Sequence, residues 1–374
     1  MDVTAVPQLR LNRDAVDNNI AVMSEWCKHR GVQLAPHVKT TMSSEIIARQ
    51  MAAGAVGVTV ATVDQVDTVL GWGHRNVLVA NQVVDPSGLA RLRGWLHPIP
   101  GQDEPLESTA PVIKILVDSP AGVDAAARVF TDGSPALPVL LDVGTMGGRT
   151  GIRTVEEAFS LAEMVAAAPG LLLAGVSGFE GVVPSRRDND VVAAVDSHCA
   201  LVRDVFQALG DYYDTPRPIF TMGGSAFPDR VIAHLPQEVA GTVVVLRSGC
   251  YVTHDHGVYE GVSPIDGLVA ALSVRAAVIS TPEPGMVVVG AGKRDLAYDL
   301  GLPSILGLDA TVRSLYDHHA VVETGAVLSV GDIVEFGFSH PCSVFDRWPA
   351  YVSTLADGSN PELWRTEFGR SSVG

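Results

Sequence analysis

Lys39 closes the stretch Ala35-Pro36-His37-Val38-Lys39-Thr40, which reads as the carboxyl end of a first β-strand running into a helix over Thr41–Ala53. A lysine with an apolar strand behind it is placed to become a partly desolvated amine. Burial disfavours the ammonium form and frees the lone pair for attack on an aldehyde. The plain alternative is a solvated lysine at a strand end. A second group of residues suits an anion. Gly223-Gly224-Ser225 follows a seventh strand and precedes a helix. Glycines let backbone N–H groups approach a phosphate, Ser225 adds a hydroxyl, and a helix N-terminus adds a favourable dipole. Gly249, after the eighth strand, completes such a cradle; the alternative is ordinary glycine punctuation.

Five further stretches are candidates for chemistry. Arg149, in Asp142-Val-Gly-Thr-Met-Gly-Gly-Arg149-Thr-Gly-Ile, can hydrogen-bond a phenolate or carboxylate. Glu180, in Gly178-Phe-Glu-Gly181, is either a catalytic acid or a rim carboxylate. Ser339-His340-Pro341-Cys342 puts an imidazole and a thiol two residues apart, on one face of an extended segment. That pair suits Zn²⁺ and leaves coordination positions open for water or substrate. His254-Asp255-His256 is a second metal candidate on a rim loop, ranked below the first. Lys293-Arg294 is a basic loop that either recognises a substrate carboxylate or is a polar turn.

The elements that must position these residues follow a rhythm. Strand-like runs at Leu34–Lys39, Val56–Ala61, Val77–Ala80, Val112–Val117, Pro138–Asp142, Leu172–Ser177, Ile219–Met222 and Val243–Arg247 alternate with helical patterns. Eight strand–helix units predict a (β/α)8 barrel, with chemistry at the carboxyl ends of its strands. The structural alternative is an open doubly wound sheet. The loop Leu96–Pro111 reads as a surface excursion. After about residue 262 the pattern turns to short strands separated by Gly and Pro, an all-β domain. The expected division is 12–262 for the barrel, and 1–11 with 263–374 for the β-domain that carries His340 and Cys342.

Composition narrows the function class. The 374 residues are 47% hydrophobic, enough to bury a large core. A net charge of -16 gives no electrostatic reason to bind nucleic acid or an anionic membrane. Cys27, Cys199, Cys250 and Cys342 lack a disulfide-framework spacing, which points to a reducing compartment. With no signal-peptide pattern and no long apolar span in view, a cytoplasmic protein is the expectation.

Taken together and in order, the motifs resemble the D-threonine aldolase and D-serine dehydratase group of pyridoxal-phosphate enzymes, which share the alanine-racemase-like barrel. Pro36-His37-Val38-Lys39-Thr40 is similar to the group's cofactor-lysine motif, and Arg149 to its strand-five arginine near the phenolic oxygen. Gly223-Gly-Ser225 and Ser248-Gly-Cys-Tyr251 are similar to the phosphate cradle, which brings in Gly224, Gly249 and Tyr251. His340-Pro-Cys342 is similar to the metal pair.

The resemblance implies a PLP-binding TIM barrel with a Schiff base on Lys39. It implies a divalent metal, zinc ahead of manganese or magnesium, and a homodimer. It implies a lyase of D-β-hydroxy-α-amino acids, read first as a dehydratase that gives a 2-keto acid and ammonia. The alternatives are retro-aldol cleavage to glycine and an aldehyde, with His37 as the base, an amino-acid racemase, or a non-catalytic PLP-binding protein. Two departures stand out. Thr41-Met42 replaces the usual His-Lys after the lysine motif, as in an amino-acid-deaminase-like branch. Cys342 stands where the aldolases carry aspartate.

Overall fold

The parallel strands follow the alternation read from the sequence, and they close. A computed structural model describes residues 5–96, 111–131, 135–181, 184–237 and 239–368, so the excursion expected at Leu96–Pro111 falls almost wholly outside the described residues. Strand β1 (Gln8–Asn12) comes first. The parallel sheet then takes β2 (Gln33–Leu34), β3 (Val58–Val60), β4 (Asn76–Gln82), β5 (Val112–Val117), β6 (Leu137–Val143), β7 (Leu171–Phe179), β8 (Ile219–Gly223) and β9 (Val243–Leu246). Their order is β2-β9-β8-β7-β6-β5-β4-β3. A bridge between His37 and Thr59 joins the two ends, with Thr59 N–H donating to Pro36 O and Val56 N–H to Leu34 O, both at 2.9 Å.

The helices start where the sequence offers caps. Side-chain oxygens of Thr62, Ser119, Thr154 and Asp188 accept from the backbone N–H of Gln65, Gly122, Glu157 and Val191. Each such cap contributes about 1 kcal/mol. The strands alternate with period two. On β5, Ile113, Ile115 and Val117 are buried on one face, while Lys114 and Leu116 share the other. Leu78, Leu116, Leu140 and Ala174 pack together, with Ala80 and Ile219 against them. This layer plugs the barrel, as stacked inward side chains do in such folds.

The antiparallel sheet has the order β13-β14-β11-β10-β1-β16-β17, with β15 pairing both β10 and β12. Its strands are β10 (Leu272–Glu283), β11 (Met286–Val289), β12 (Ser304–Ile305), β13 (Ala310–Leu315), β14 (Ala320–Thr324), β15 (Ile333–Gly337), β16 (Ala350–Thr354) and β17 (Glu362–Arg365). Strand β1 lies between β10 and β16, antiparallel to the first and parallel to the second. The buried face holds Leu9, Leu11, Val274, Ala276, Phe336 and Tyr351. Strands β12 and β17, two and four residues long, carry too little alternation to be seen in the sequence.

By compactness the described chain forms two units, one of residues 5–25, 40–53 and 250–368, the other of 26–39 and 54–249. Compactness places the helix Ser44–Ala52 and the segment after Gly249 with the antiparallel sheet. The 12–262 division counts both with the barrel; one criterion is contact, the other strand order. Among the described residues no helix is long and apolar enough to cross a membrane.

Candidate active site

At the carboxyl ends of the parallel strands lies a cavity of about 150 Å³. It is lined by His37, Lys39, Asp142, Arg149, Thr150, Phe179, Gly223, Gly224 and Arg247, with the small residues Ala61, Ala80 and Asn81 and the plug residue Leu116. Lys39 reaches it differently from the sequence expectation. Strand β2 stops at Leu34, and Lys39 sits in the 3-10 turn Val38–Thr40. Pro36 has no N–H for the sheet, and the turn buries Val38 and Thr40 while leaving Lys39 exposed. The expected desolvated strand-end amine is therefore corrected to a solvent-facing amine on the cavity wall.

His37 lines the same wall, and its Nδ1 is buried without a partner. Burial and the nearby charges of Lys39, Arg247 and Arg149 hold its imidazole well below the usual range, so it is neutral at pH 7. Arg149 is positioned by a tight return of the loop after β6. Gly144 N–H donates to Ile152 O and Ile152 N–H to Asp142 O, both 2.9 Å. Gly151 has φ +100°, and a Cβ there would lie 2.3 Å from Gly144 N, so the return requires glycine. The Arg149 guanidinium lies 4.4 Å from the centre of the Phe179 ring. Asp142, at the base of the loop, accepts from Thr150 at 2.9 Å and Gln82 at 3.1 Å. Burial raises its pKa against those bonds.

The glycine loop is shaped by its neighbours. Gly224 has φ +119°, and a Cβ there would lie 2.2 Å from Glu180 Oε1. Ser248 donates its hydroxyl to Gly224 O, tying the loops after β8 and β9 together. Ser225 and Gly249 are buried beside these residues. The helix that follows is short, Pro228–Ala233, and opens with a proline that has no N–H to offer. The dipole expected for the cradle is therefore small, and the loop amides carry it. Tyr251 belongs to the other unit, where its hydroxyl accepts from Gln50 at 2.8 Å.

Glu180 is not on the rim: it is 1% exposed, and Oε2 has no hydrogen-bond partner. Burial, with Asp229 adding to it, pushes its pKa up to about 8 against Arg247 and its own backbone N–H. Arg247, named in the sequence only as the end of the eighth strand, proves to be the buried cation of the cavity. Its guanidinium donates to Thr221 Oγ1 and Gly178 O, each at 2.8 Å. Burial lowers its pKa to about 10, which still leaves it charged at pH 7.

In the antiparallel unit, His340 and Cys342 come together, on a bend and turn after β15 and not on the extended segment expected, and Cys250 joins them. One donor atom from each lies within 4.8 Å of the others, and the two sulfurs are 3.0 Å apart. His340 Nδ1 is held by Asp299 Oδ2 at 2.8 Å, and the ring also hydrogen-bonds Cys250. Asp299 in turn accepts from Ser343 at 3.1 Å. The hydrogen bond with Cys342 and contacts with His340 and Tyr259 hold the Cys250 thiol well below its usual range, against its burial. Cys250 and Cys342 are 92 residues apart, so no spacing motif could pair them.

His254-Asp255-His256 does not form a ligand set. His254 faces the Asp255 carbonyl at 3.1 Å, and Asp255 Oδ1 accepts from Gly257, Tyr259 and Glu260 at the start of the helix Val258–Val262. In the basic loop, Arg294 pairs with Asp317 at 3.6 Å and Lys293 lies 5.9 Å from the Tyr298 ring centre.

Residues 11–235, more than half of the chain, match the family model described as "Alanine racemase, N-terminal domain". The chain belongs to that family. Residues 271–354 match a second model, "Putative serine dehydratase domain". Among curated proteins, this alanine-racemase-family chain is 27% identical to the D-threonine aldolase of Arthrobacter sp., over 96% of this chain and 91% of that one. It is 26% identical to the D-threo-3-hydroxyaspartate dehydratase of Delftia sp. strain HT23, over 94% and 95%. Among solved structures, the D-threonine aldolase of Filomicrobium marinum superposes with a TM-score of 0.80 at 25% identity, covering 97% of this chain and 95% of that one.

Proposed function

We propose that this protein is a pyridoxal-phosphate- and metal-dependent lyase of D-β-hydroxy-α-amino acids, acting as a dehydratase that yields a 2-oxo acid and ammonia. The observation that carries the proposal is the barrel cavity. One amine, two guanidiniums and a neutral imidazole converge beside a glycine loop with no room for a side chain at Gly224. That donor set fits a small phosphorylated ring with a phenolate and an aldehyde. Curated relatives that match nearly the whole chain are an aldolase and a dehydratase of such amino acids.

Pyridoxal phosphate supplies an aldehyde for an amino group and a ring that stabilises negative charge at Cα. In this reading Lys39 would hold the aldehyde, and its amine would serve as the base at Cα. Arg149 donates to the phenolate, with Phe179 fixing the guanidinium plane. The amides of Gly223 and Gly224, extended by Ser225 and Gly249, hold the phosphate. Buried Arg247 gives the cavity a fixed positive charge in a chain that is otherwise acidic.

His340, Cys342 and Cys250 would hold the metal. Two thiolates and an imidazole suit zinc and leave a fourth position open. The metal supplies a Lewis acid toward a hydroxyl oxygen. Asp299 fixes the ring of His340 for that task. Cys342, at the position where the aldolases of the resembling group carry aspartate, supports the dehydratase reading. The second reading is retro-aldol cleavage, for which His37 lines the cavity with an unpartnered Nδ1, while burial and the charges of Lys39, Arg247 and Arg149 weaken it as a base. The homodimer belongs to the same proposal.

The deciding assay takes D-serine, D-threonine and D-threo-3-hydroxyaspartate, with and without chelator, and scores ammonia against aldehyde. Ammonia and a 2-oxo acid, lost on chelation and in Lys39→Ala, are expected. Aldehyde with glycine would replace the dehydratase by the aldolase. No product from any of the three would overturn the lyase reading.

A further inference from the structure

The barrel has a second cavity, of about 230 Å³, at the amino ends of its strands. Its position follows from the period-two alternation that builds the first. On β4, Asn76, Leu78 and Ala80 point inward in succession; on β5, Lys114 and then Leu116; on β8, Ile219, Thr221 and Gly223. Leu78, Leu116 and Leu140 belong to the plug. Leu116 and Ala80 line the catalytic cavity above it. Asn76, Leu78, Lys114, Leu140 and Ile219 line the one below.

The lower wall is mostly apolar, with Val58, Val243 and Val245 beside the leucines, but two cations line it, half-buried Lys114 and exposed Arg217. No carboxylate or imidazole is on that wall among the described residues, in a chain of net charge -16. The chain has only four lysines against twenty-two arginines, and one of the four is here. Lys114 is aimed rather than loose. Its Nζ donates to Asn76 Oδ1 at 2.9 Å, and Asn76 Nδ2 donates to Val56 O at 2.8 Å. Gly57 leaves the space for Asn76, since a Cβ there would lie 2.6 Å from Asn76 O. One of three ammonium donors is thus used on a neutral partner, and two remain.

We infer that the amino-end cavity binds a small organic monocarboxylate, its carboxylate on Lys114 and Arg217 and its short apolar tail against the plug. The volume lies below the range of about 300 to 1,000 Å³ typical for drug-sized ligands, which limits the guest to a few carbon atoms. The unmet charge agrees with this assignment: burial alone, with no neighbouring acid, lowers the Lys114 pKa to about 8. A bound carboxylate would supply the missing counter-charge and raise that pKa back toward the ordinary lysine range. The inference does not depend on the lyase reading, because none of these residues lines the catalytic cavity.

Residue-resolved acylation tests it. The holoenzyme is treated with acetic anhydride near pH 8 in the presence of butyrate, and the peptides of all four lysines are quantified by mass spectrometry. Lys114 is expected to be protected at least fivefold, with half-saturation at about 1 mM or below. Lys28 and Lys293 serve as unprotected references, and Lys39 reports the catalytic cavity separately. Neutral butyramide should not protect, and Arg217→Met should weaken protection by butyrate several-fold. No protection of Lys114, equal protection by butyramide, or full protection in Arg217→Met would overturn the inference. Equal protection by sulfate would overturn the organic tail.

Discussion

Replacing Glu180 by glutamine isolates the effect of one buried acid on stability. In the folded protein Glu180 keeps its proton up to about pH 8, because burial removes the water that would solvate its charge. In the unfolded chain it loses the proton near pH 4.5. The sign follows from proton counting. Above pH 4.5 the native state binds more protons than the unfolded state, so stability falls as pH rises, until the folded group titrates near pH 8. At about 1.4 kcal/mol per unit, wild type should lose on the order of 3 kcal/mol between about pH 5 and about pH 8 through this residue. Glu180→Gln keeps the shape and cannot ionise. Urea unfolding of both proteins across that range, at fixed cofactor and metal, gives the difference directly. The variant's own amide adds a constant offset, so the slope of the difference against pH is the readout. Parallel curves, with a difference constant to within about half a kcal/mol, would refute a neutral buried acid at this position.

The glycine loop and the metal cluster make equally specific demands. Gly224→Ala forces a positive φ on alanine and a Cβ against the Glu180 carboxyl, so it should cost about 2 kcal/mol or more and weaken cofactor retention. Wild-type denaturation and cofactor dialysis rates would contradict it. Asp299→Asn should weaken metal binding about 10- to 100-fold in chelator competition while leaving cofactor absorbance unchanged. An unchanged affinity would remove Asp299 from the metal's support. Cys250→Ser should reduce the sulfur-to-metal charge-transfer band of the cobalt-loaded protein; an undiminished band would leave Cys250 outside the ligand set.

The barrel was legible because its evidence is local. Short strand-like runs such as Val112–Val117 are followed by helical patterns, and the same rhythm repeats around the sheet. The position of Arg149 was legible for a similar reason: its loop is bracketed by Asp142 below and Gly151 above. What stayed hidden depends on contacts between distant residues. Cys250 looked like part of a phosphate cradle until the fold brought its sulfur to Cys342. Arg247 could be read as a strand end, but its burial is set by Thr221 and Gly178 on other strands. Glu180 was read between two roles because burial of a carboxyl has no sequence signature. In the sequence Lys39 reads as a strand residue because the apolar run continues up to it. Pro36 and the 3-10 turn that follows moved it.

The path of the chain between the two units has a consequence for how such a protein can change. The backbone passes from one to the other at 25/26, 39/40, 53/54 and 249/250. Neither unit is encoded by one uninterrupted stretch of gene, so neither can be moved into a new protein by a single recombination event. A fragment ending at Gly249 would keep residues 5–25 and 40–53 while losing the strands they pack with. Lys39 is the last residue before one of these passages and Cys250 the first after another. New specificities in this lineage are therefore expected to arise by substitution in place and not by exchange of halves.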